Sequence, residues 1–273
     1  MTDSQLLDKA WALREEGKFH EAYGAFMLAA NNTDNALEKA GILLSAATNL
    51  TQSEEQERAR TQLKQVRELL GSLNPVALNQ DEKDELVRVT VCIEIEEAEV
   101  LASEGKIEGA IERLAATLAR FENEIQEPSL IAVHDEIQTR RAYFLTDLDQ
   151  FEKAIPILEE VTSRRNDDTI FLFYLGHSYF RAKRWSEAQQ KLERALALGP
   201  RPRIAFQAHG SLGMVFYETG DYQRAKEELE ASAKLAAPDY IKQAHIWKWL
   251  EYTCVSLGLK EEARRYGQLA RPS

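Results

Sequence analysis

Residues 169–202 read TIFLFYLGHSYFRAKRWSEAQQKLERALALGPRP, and the spacing inside this stretch decides the fold. Leu172-x2-Leu175-Gly176-x2-Tyr179 places its apolar residues on one side of a helix. Ala188-x3-Leu192, then Ala195, does the same for a second helix that Pro200 brings to an end. Gly176 and Ala188 carry almost no side chain, so the two helices can approach closely there, with Tyr179 and Leu192 filling the space on either side. A larger residue at Ala188 is expected to force the helices apart, because protein interiors are packed without spare room.

The same pattern recurs along the chain. A short turn, a bulky residue and an alanine appear in EGKFHEA (ending at Ala22), EGKIEGA (Ala110), DQFEKA (Ala154), KRWSEA (Ala188), TGDYQRA (Ala225) and LGLKEEA (Ala263), and the last four alanines are 34, 37 and 38 residues apart. The unit at 206–239 repeats Leu212-Gly213-x2-Phe216 and Ala225-x3-Leu229, with Pro238 near its end. The next places Trp247, Leu250 and Cys254 ahead of Ala263, with Glu251 where glycine is usual. Upstream units contain Ala142, Leu145, Ala154 and Leu158; Ala98, Leu101, Ala110 and Leu114; and Ala10, Leu13, Ala22, Phe26 and Ala29. Residues 36–49 and 53–71 read as a degenerate helix pair. Gly71-Ser72-Leu73-Asn74-Pro75 through Asn79 is the strongest loop signal in the chain. Val87, Val89, Val91, Ile93 and Ile95 alternate as in a strand, but their place directly before Ala98 and Gly105 predicts a helix.

A 34-residue helix–turn–helix with Leu-Gly, Tyr, Ala and Pro at these offsets resembles the tetratricopeptide repeat. Leu172 stands where the family usually has Trp, and Leu192 where it has an aromatic residue. The resemblance implies an all-α fold, a right-handed α–α superhelix of about seven helix pairs, one or two of them degenerate. The expected organisation is N-terminal helix pairs over 1–70, a linker or hinge at 71–85, and regular repeats over 86–273 with an atypical C-terminal one.

Composition narrows the function. The chain has 273 residues, is 44% hydrophobic and has a net charge of −11, which describes a folded chain whose overall field repels a phosphate backbone. Nucleic acid is therefore not expected as a partner. No basic-then-apolar leader and no spanning apolar run is present, so a membrane is not expected either, and the reading is cytoplasmic. Cys92 and Cys254 lie on separate apolar stretches and read as buried reduced thiols. Charge is uneven: residues 81–104 hold nine acidic and two basic side chains, and residues 181–203 seven basic and two acidic. There is no metal-ligand spacing, phosphate-cradling loop or nucleophile elbow, and His20, His134, His177, His209 and His245 are dispersed. No cofactor, metal site or enzymatic activity is expected.

In the family that the chain resembles, the first helix of each pair lines a concave groove that grips a peptide or a partner helix. Set in the frame of Gly176, that face carries Thr139, Tyr143 and Asp147; then Phe173, His177, Phe180 and Arg181; then Gln207, Met214 and Tyr217; then Lys248, Tyr252 and Val255. Tyr143, Phe173, His177, Phe180, Met214, Tyr217, Lys248 and Tyr252 are the candidate partner-binding residues. The set that clamps a terminal carboxylate in chaperone-binding members is missing, which leaves Arg140, Arg181 and Lys248 to meet single acidic side chains. Ile95, Glu96 and Glu99, beside Asp81–Glu85, would give an acidic counterpart, so a partner segment with an apolar and a basic stretch would match both. The expected function is a non-catalytic protein–protein interaction scaffold. Two alternatives stand beside it. One is a homo-oligomeric scaffold that covers the aromatic face or the last helix (Ala263, Tyr266, Ala270). The other is a sensor of a peptide or small molecule.

Overall fold

The computed structural model describes residues 3–53, 55–235 and 243–270. Pro238, expected to close one repeat, lies outside them. The described residues form fourteen α-helices, two one-turn 3-10 helices and no strand. Packing divides the chain into two compact units, residues 1–148 and 149–273.

The first unit holds α1 (Asp3–Glu15), α2 (Phe19–Asn32), α3 (Ala36–Gln52), α4 (Gln56–Gly71), α5 (Gln80–Ser103), α6 (Ile107–Arg120) and α7 (Ile131–Asp147). The segment read as a degenerate pair forms the helices α3 and α4, which pack against each other. The loop that follows is shorter than the expected 71–85 hinge. It spans residues 72–79, and α5 starts at Gln80 because Asn79 and Glu82 form a capping box. The alternating Val87–Ile95 run lies inside α5. This helix packs against α3, α4, α6 and α7, so apolar side chains are needed on several of its sides and a single-stripe pattern does not develop.

The second unit holds α8 (Phe151–Arg164), α9 (Thr169–Arg181), α10 (Trp185–Ala197), α11 (Pro202–Glu218), α12 (Tyr222–Leu235), α13 (Gln243–Ser256) and α14 (Lys260–Leu269). Helices α9 and α10, α11 and α12, and α13 and α14 pack as hairpins. A Cβ added to Gly176 would lie 2.8 Å from Leu192 Cγ, and one added to Gly213 would lie 2.6 Å from Leu229 Cγ. These are the close approaches that the sequence spacing predicts.

The six turn motifs share one backbone feature. Five residues before each alanine the chain takes a left-handed conformation, at Gly17, Gly105, Asp149, Lys183, Gly220 and Gly258, with φ between 58° and 83°. In five of them the next residue donates its backbone N–H to a carbonyl five positions back, as Arg184 does to Tyr179 at 2.9 Å. This stops the first helix and starts the second. The alanines themselves are buried, Ala22, Ala110, Ala154, Ala188 and Ala225 fully and Ala263 nearly so.

Candidate partner-binding face

Within the second unit, the first helices of successive hairpins touch one another, α9 against α11 and α11 against α13. A contact between His177 Nδ1 and Ser211 Oγ at 3.2 Å links α9 to α11. The Tyr217 and Trp249 rings, 5.2 Å apart and edge-on, link α11 to α13. Two aromatic clusters result. In one, His177 lies between Phe173 (5.9 Å) and Phe180 (6.1 Å), and Phe180 continues to Trp185 (5.7 Å). In the other, Tyr217 meets Tyr222 (5.4 Å) and Trp249, and Trp249 meets Tyr252 (6.2 Å). Rings at these separations and tilts match the preferred geometry of aromatic quadrupoles.

The expected anchors divide by depth. His177, Phe180 and Tyr217 are half-buried, while Tyr252 is 44% exposed and Val255 65%. Phe173 and Met214 are 3% and 7% exposed, so they lie beneath the face and are not open anchors. The cause is packing: α9 touches α8, α10 and α11, so its apolar circumference is covered by three neighbours and needs no ligand. Tyr143 belongs to the first unit, where it is half-buried against the core around Ile137 and Phe144. Thr139 is buried and donates its hydroxyl to the Asp135 carbonyl. Lys248 is exposed, 4.9 Å from the Tyr252 ring centre.

The cations expected to meet a partner's acids are already engaged. Arg140 pairs with Glu99 at 2.8 Å, Arg181 with Asp149 at 2.9 Å and Lys248 with Glu251 at 2.7 Å. The acidic counterpart is similarly used inward. Ile95 is buried, and Glu96 accepts a hydrogen bond from Thr48 at 2.9 Å. Burial, then the neighbouring Glu99 charge, push the Glu96 carboxyl up, and the Thr48 bond, Arg140 and Arg14 offset this only in part. His209 pairs with Glu228 at 2.6 Å. In the last helix Ala263 and Tyr266 face inward, with Tyr266 donating to Glu230 at 2.9 Å. Those two residues do not supply a self-association surface. Both cysteines are free, Cys92 half-buried and Cys254 buried.

Three rings of the clusters lie outside the expected set of anchors. Trp185 and Tyr222 are the bulky residues of the turn motif itself, so their signal is present in the sequence. Trp249 lies one position past Lys248, on a helix whose frame is obscured by Glu251 at the usual glycine position.

The family model for the tetratricopeptide repeat matches residues 139–201 and 175–241. Residues 139–241 therefore belong to the tetratricopeptide-repeat family. Solved structures agree in fold. A tetratricopeptide repeat protein from Parabacteroides merdae ATCC 43184 is 14% identical, with a TM-score of 0.56 over 98% of this chain and 91% of that one. The apo form of the quorum sensor NprR from B. thuringiensis is 14% identical, with a TM-score of 0.59 over 98% of this chain and 74% of that one. NprR in complex with its cognate peptide NprX gives 14%, 0.58, 98% and 77%. No curated protein matches the chain in sequence. Among the described residues, no helix is long and apolar enough to cross a membrane.

Proposed function

We propose that this protein is a non-catalytic scaffold that holds a peptide or helix of a partner protein on the face formed by α9, α11 and α13. The observation that carries the reading is the pair of aromatic clusters, with Phe180, Tyr217, Trp249 and Tyr252 reaching the surface from three adjacent first helices. Rings on a rigid helical base supply contact area with little side-chain entropy to lose, and two or three of them can each anchor about 2 kcal/mol of binding. Because Arg181 and Lys248 are paired internally, recognition rests on apolar contact and hydrogen bonding rather than on free charge. NprR, of the same fold, is known in complex with a peptide, which is compatible with this class of partner.

The test is affinity capture from the native cell with the wild-type chain and a Phe180→Ala, Tyr217→Ala, Tyr252→Ala variant. The variant keeps its helical circular dichroism and loses the partner that the wild type retains. A partner captured equally by both would place binding elsewhere. Phe173, buried, is left intact so that loss of capture reports on the surface and not on the core.

A further inference from the structure

Two ring pairs repeat from one hairpin to the next. Phe180 and Trp185 lie eight and three residues before Ala188, and Tyr217 and Tyr222 lie eight and three residues before Ala225. The rings of the first pair are 5.7 Å apart and tilted by 49°, those of the second 5.4 Å apart and tilted by 59°, and all four are half-buried. Flanking repeats lack the pattern, with Thr146 and Phe151 before Ala154, and Val255 and Lys260 before Ala263. The pairs also carry polar edges that the fold leaves unused. The Trp185 indole N–H and the Tyr217 and Tyr222 hydroxyls have no hydrogen-bond partner among the described residues. Charge is absent from the recognition, because Arg181 is paired with Asp149 and Lys248 with Glu251.

Helix α9 packs on α11, and packed helices lie about 8–10 Å apart. A segment that crosses both therefore needs uncharged apolar groups recurring on one side at about that interval. A β-strand returns to the same side every two residues, about 6.7 Å, and misses it. An α-helix comes near it after seven residues, about 10.5 Å, but its carbonyls are already hydrogen-bonded and offer the unused donors nothing. A polyproline II chain returns every three residues, about 9.3 Å, and leaves its carbonyls free to accept from Trp185, Tyr217 and Tyr222. Resting on the binding face proposed above, we infer that the segment held there is proline-rich and in the polyproline II conformation, with prolines three residues apart seated in the two ring pairs.

Isothermal titration of the full chain with N-acetyl nonaproline amide tests the inference, with a length-matched helical Ala/Glu/Lys peptide and a Gly/Ser peptide as controls. Nonaproline should bind saturably and at least about tenfold tighter than either control. Trp185→Ala and Tyr222→Ala should each weaken it by about tenfold with unchanged circular dichroism. Trp185→Phe and Tyr222→Phe keep a ring and remove the donor, and should weaken it by about threefold. No saturable binding of nonaproline at millimolar concentration, equal binding of a control peptide, or binding indifferent to all four substitutions would overturn the proline-rich occupant. The capture experiment fails separately. A partner lost with Phe180→Ala, Tyr217→Ala and Tyr252→Ala, while nonaproline does not bind, keeps the face and removes this occupant. A partner captured equally by wild type and that variant removes the face itself.

Discussion

At the scale of single residues, the repeat is a set of steric and conformational demands that can be tested one at a time. Gly213 and Gly24 are both helical glycines, but their surroundings differ. A Cβ at Gly213 would meet Leu229 Cγ at 2.6 Å and the Ala225 carbonyl oxygen at 3.1 Å, whereas one at Gly24 would meet nothing within 4 Å. Gly213→Ala should therefore destabilise by about 1–3 kcal/mol, since backbone atoms cannot step aside. Gly24→Ala should stabilise by about 0.5–1 kcal/mol through helix propensity. Urea unfolding of the two variants separates these signs, and a stabilised Gly213→Ala would contradict the close crossing. The turn position gives a second test. Lys183 holds φ of 59° where four of the six copies have glycine, and its exposed side chain has no partner among the described residues. Relief of the left-handed strain, partly offset by the greater freedom of glycine when unfolded, should make Lys183→Gly about 0.5 kcal/mol more stable. Asp149→Gly should gain less, because it removes the ion pair to Arg181. These residue-level rules are legible in the sequence, since Ala188, Gly176 and the turn glycines announce backbone geometry directly. Phe173 and Met214 are not legible in this way. Their burial depends on neighbouring helices that local spacing does not specify.

At the scale of the element, α5 carries two glutamates two positions apart with opposite consequences for stability. Glu94 is buried, and burial alone would raise its carboxyl. Arg67 and Arg113, whose guanidinium groups reach Glu94 at 2.8 and 2.5 Å, outweigh that and hold it below the ordinary carboxylate range. Arg67 and Arg113 also bridge to Glu97, at 2.9 and 2.5 Å, so one network ties α4, α5 and α6 together. Glu96 is pushed the other way by burial and by Glu99, and its Oε2 is shut off from solvent without a hydrogen-bond partner. For Glu94 the folded state binds its proton more weakly than the unfolded chain does. Its contribution is present above the unfolded value near 4.3 and disappears as pH falls through the lower folded value. For Glu96 the folded state binds the proton more tightly, so its contribution is present in acid and disappears as pH rises through the raised value. At pH near 7, Glu94→Gln should cost about 1–2 kcal/mol, a magnitude moderated by the partial exposure of both guanidinium groups. Glu96→Gln should gain on the order of 1 kcal/mol, with the gain fading on acidification. Thermal melts of both variants from acid to neutral pH would show the divergence, and parallel curves would remove the electrostatic distinction. The sequence shows why α5 is hard to read. Its Val–Ile alternation is the imprint of four packing neighbours, and its charge run, which resembles a solvated acidic face, contains Glu94 and Glu97 in internal pairs and Glu96 turned to Thr48.

At the scale of the whole molecule, charge and aromatic surface are segregated along the chain. Residues 1–148 hold 28 acidic and 15 basic side chains, and residues 149–273 hold 17 and 19. The acidic excess therefore belongs entirely to the first unit, whereas the ring clusters that carry the proposed function belong to the second. This separation gives the two modes of partner recognition different responses to salt. A partner seated on Phe180, Tyr217, Trp249 and Tyr252 meets cations that are already neutralised, Arg181 by Asp149 and Lys248 by Glu251. Its complex loses little when ions screen the solution. A basic partner drawn to the first unit depends on attraction between exposed charges, which is largely screened once the Debye length falls to a few ångströms. Affinity for the captured partner, measured from roughly 50 to 500 mM salt, should accordingly change by less than about threefold and rest mainly on the dissociation rate. A loss of about tenfold or more over the same range, carried by a falling association rate, would move the principal contact to the acidic unit and leave the rings a secondary role.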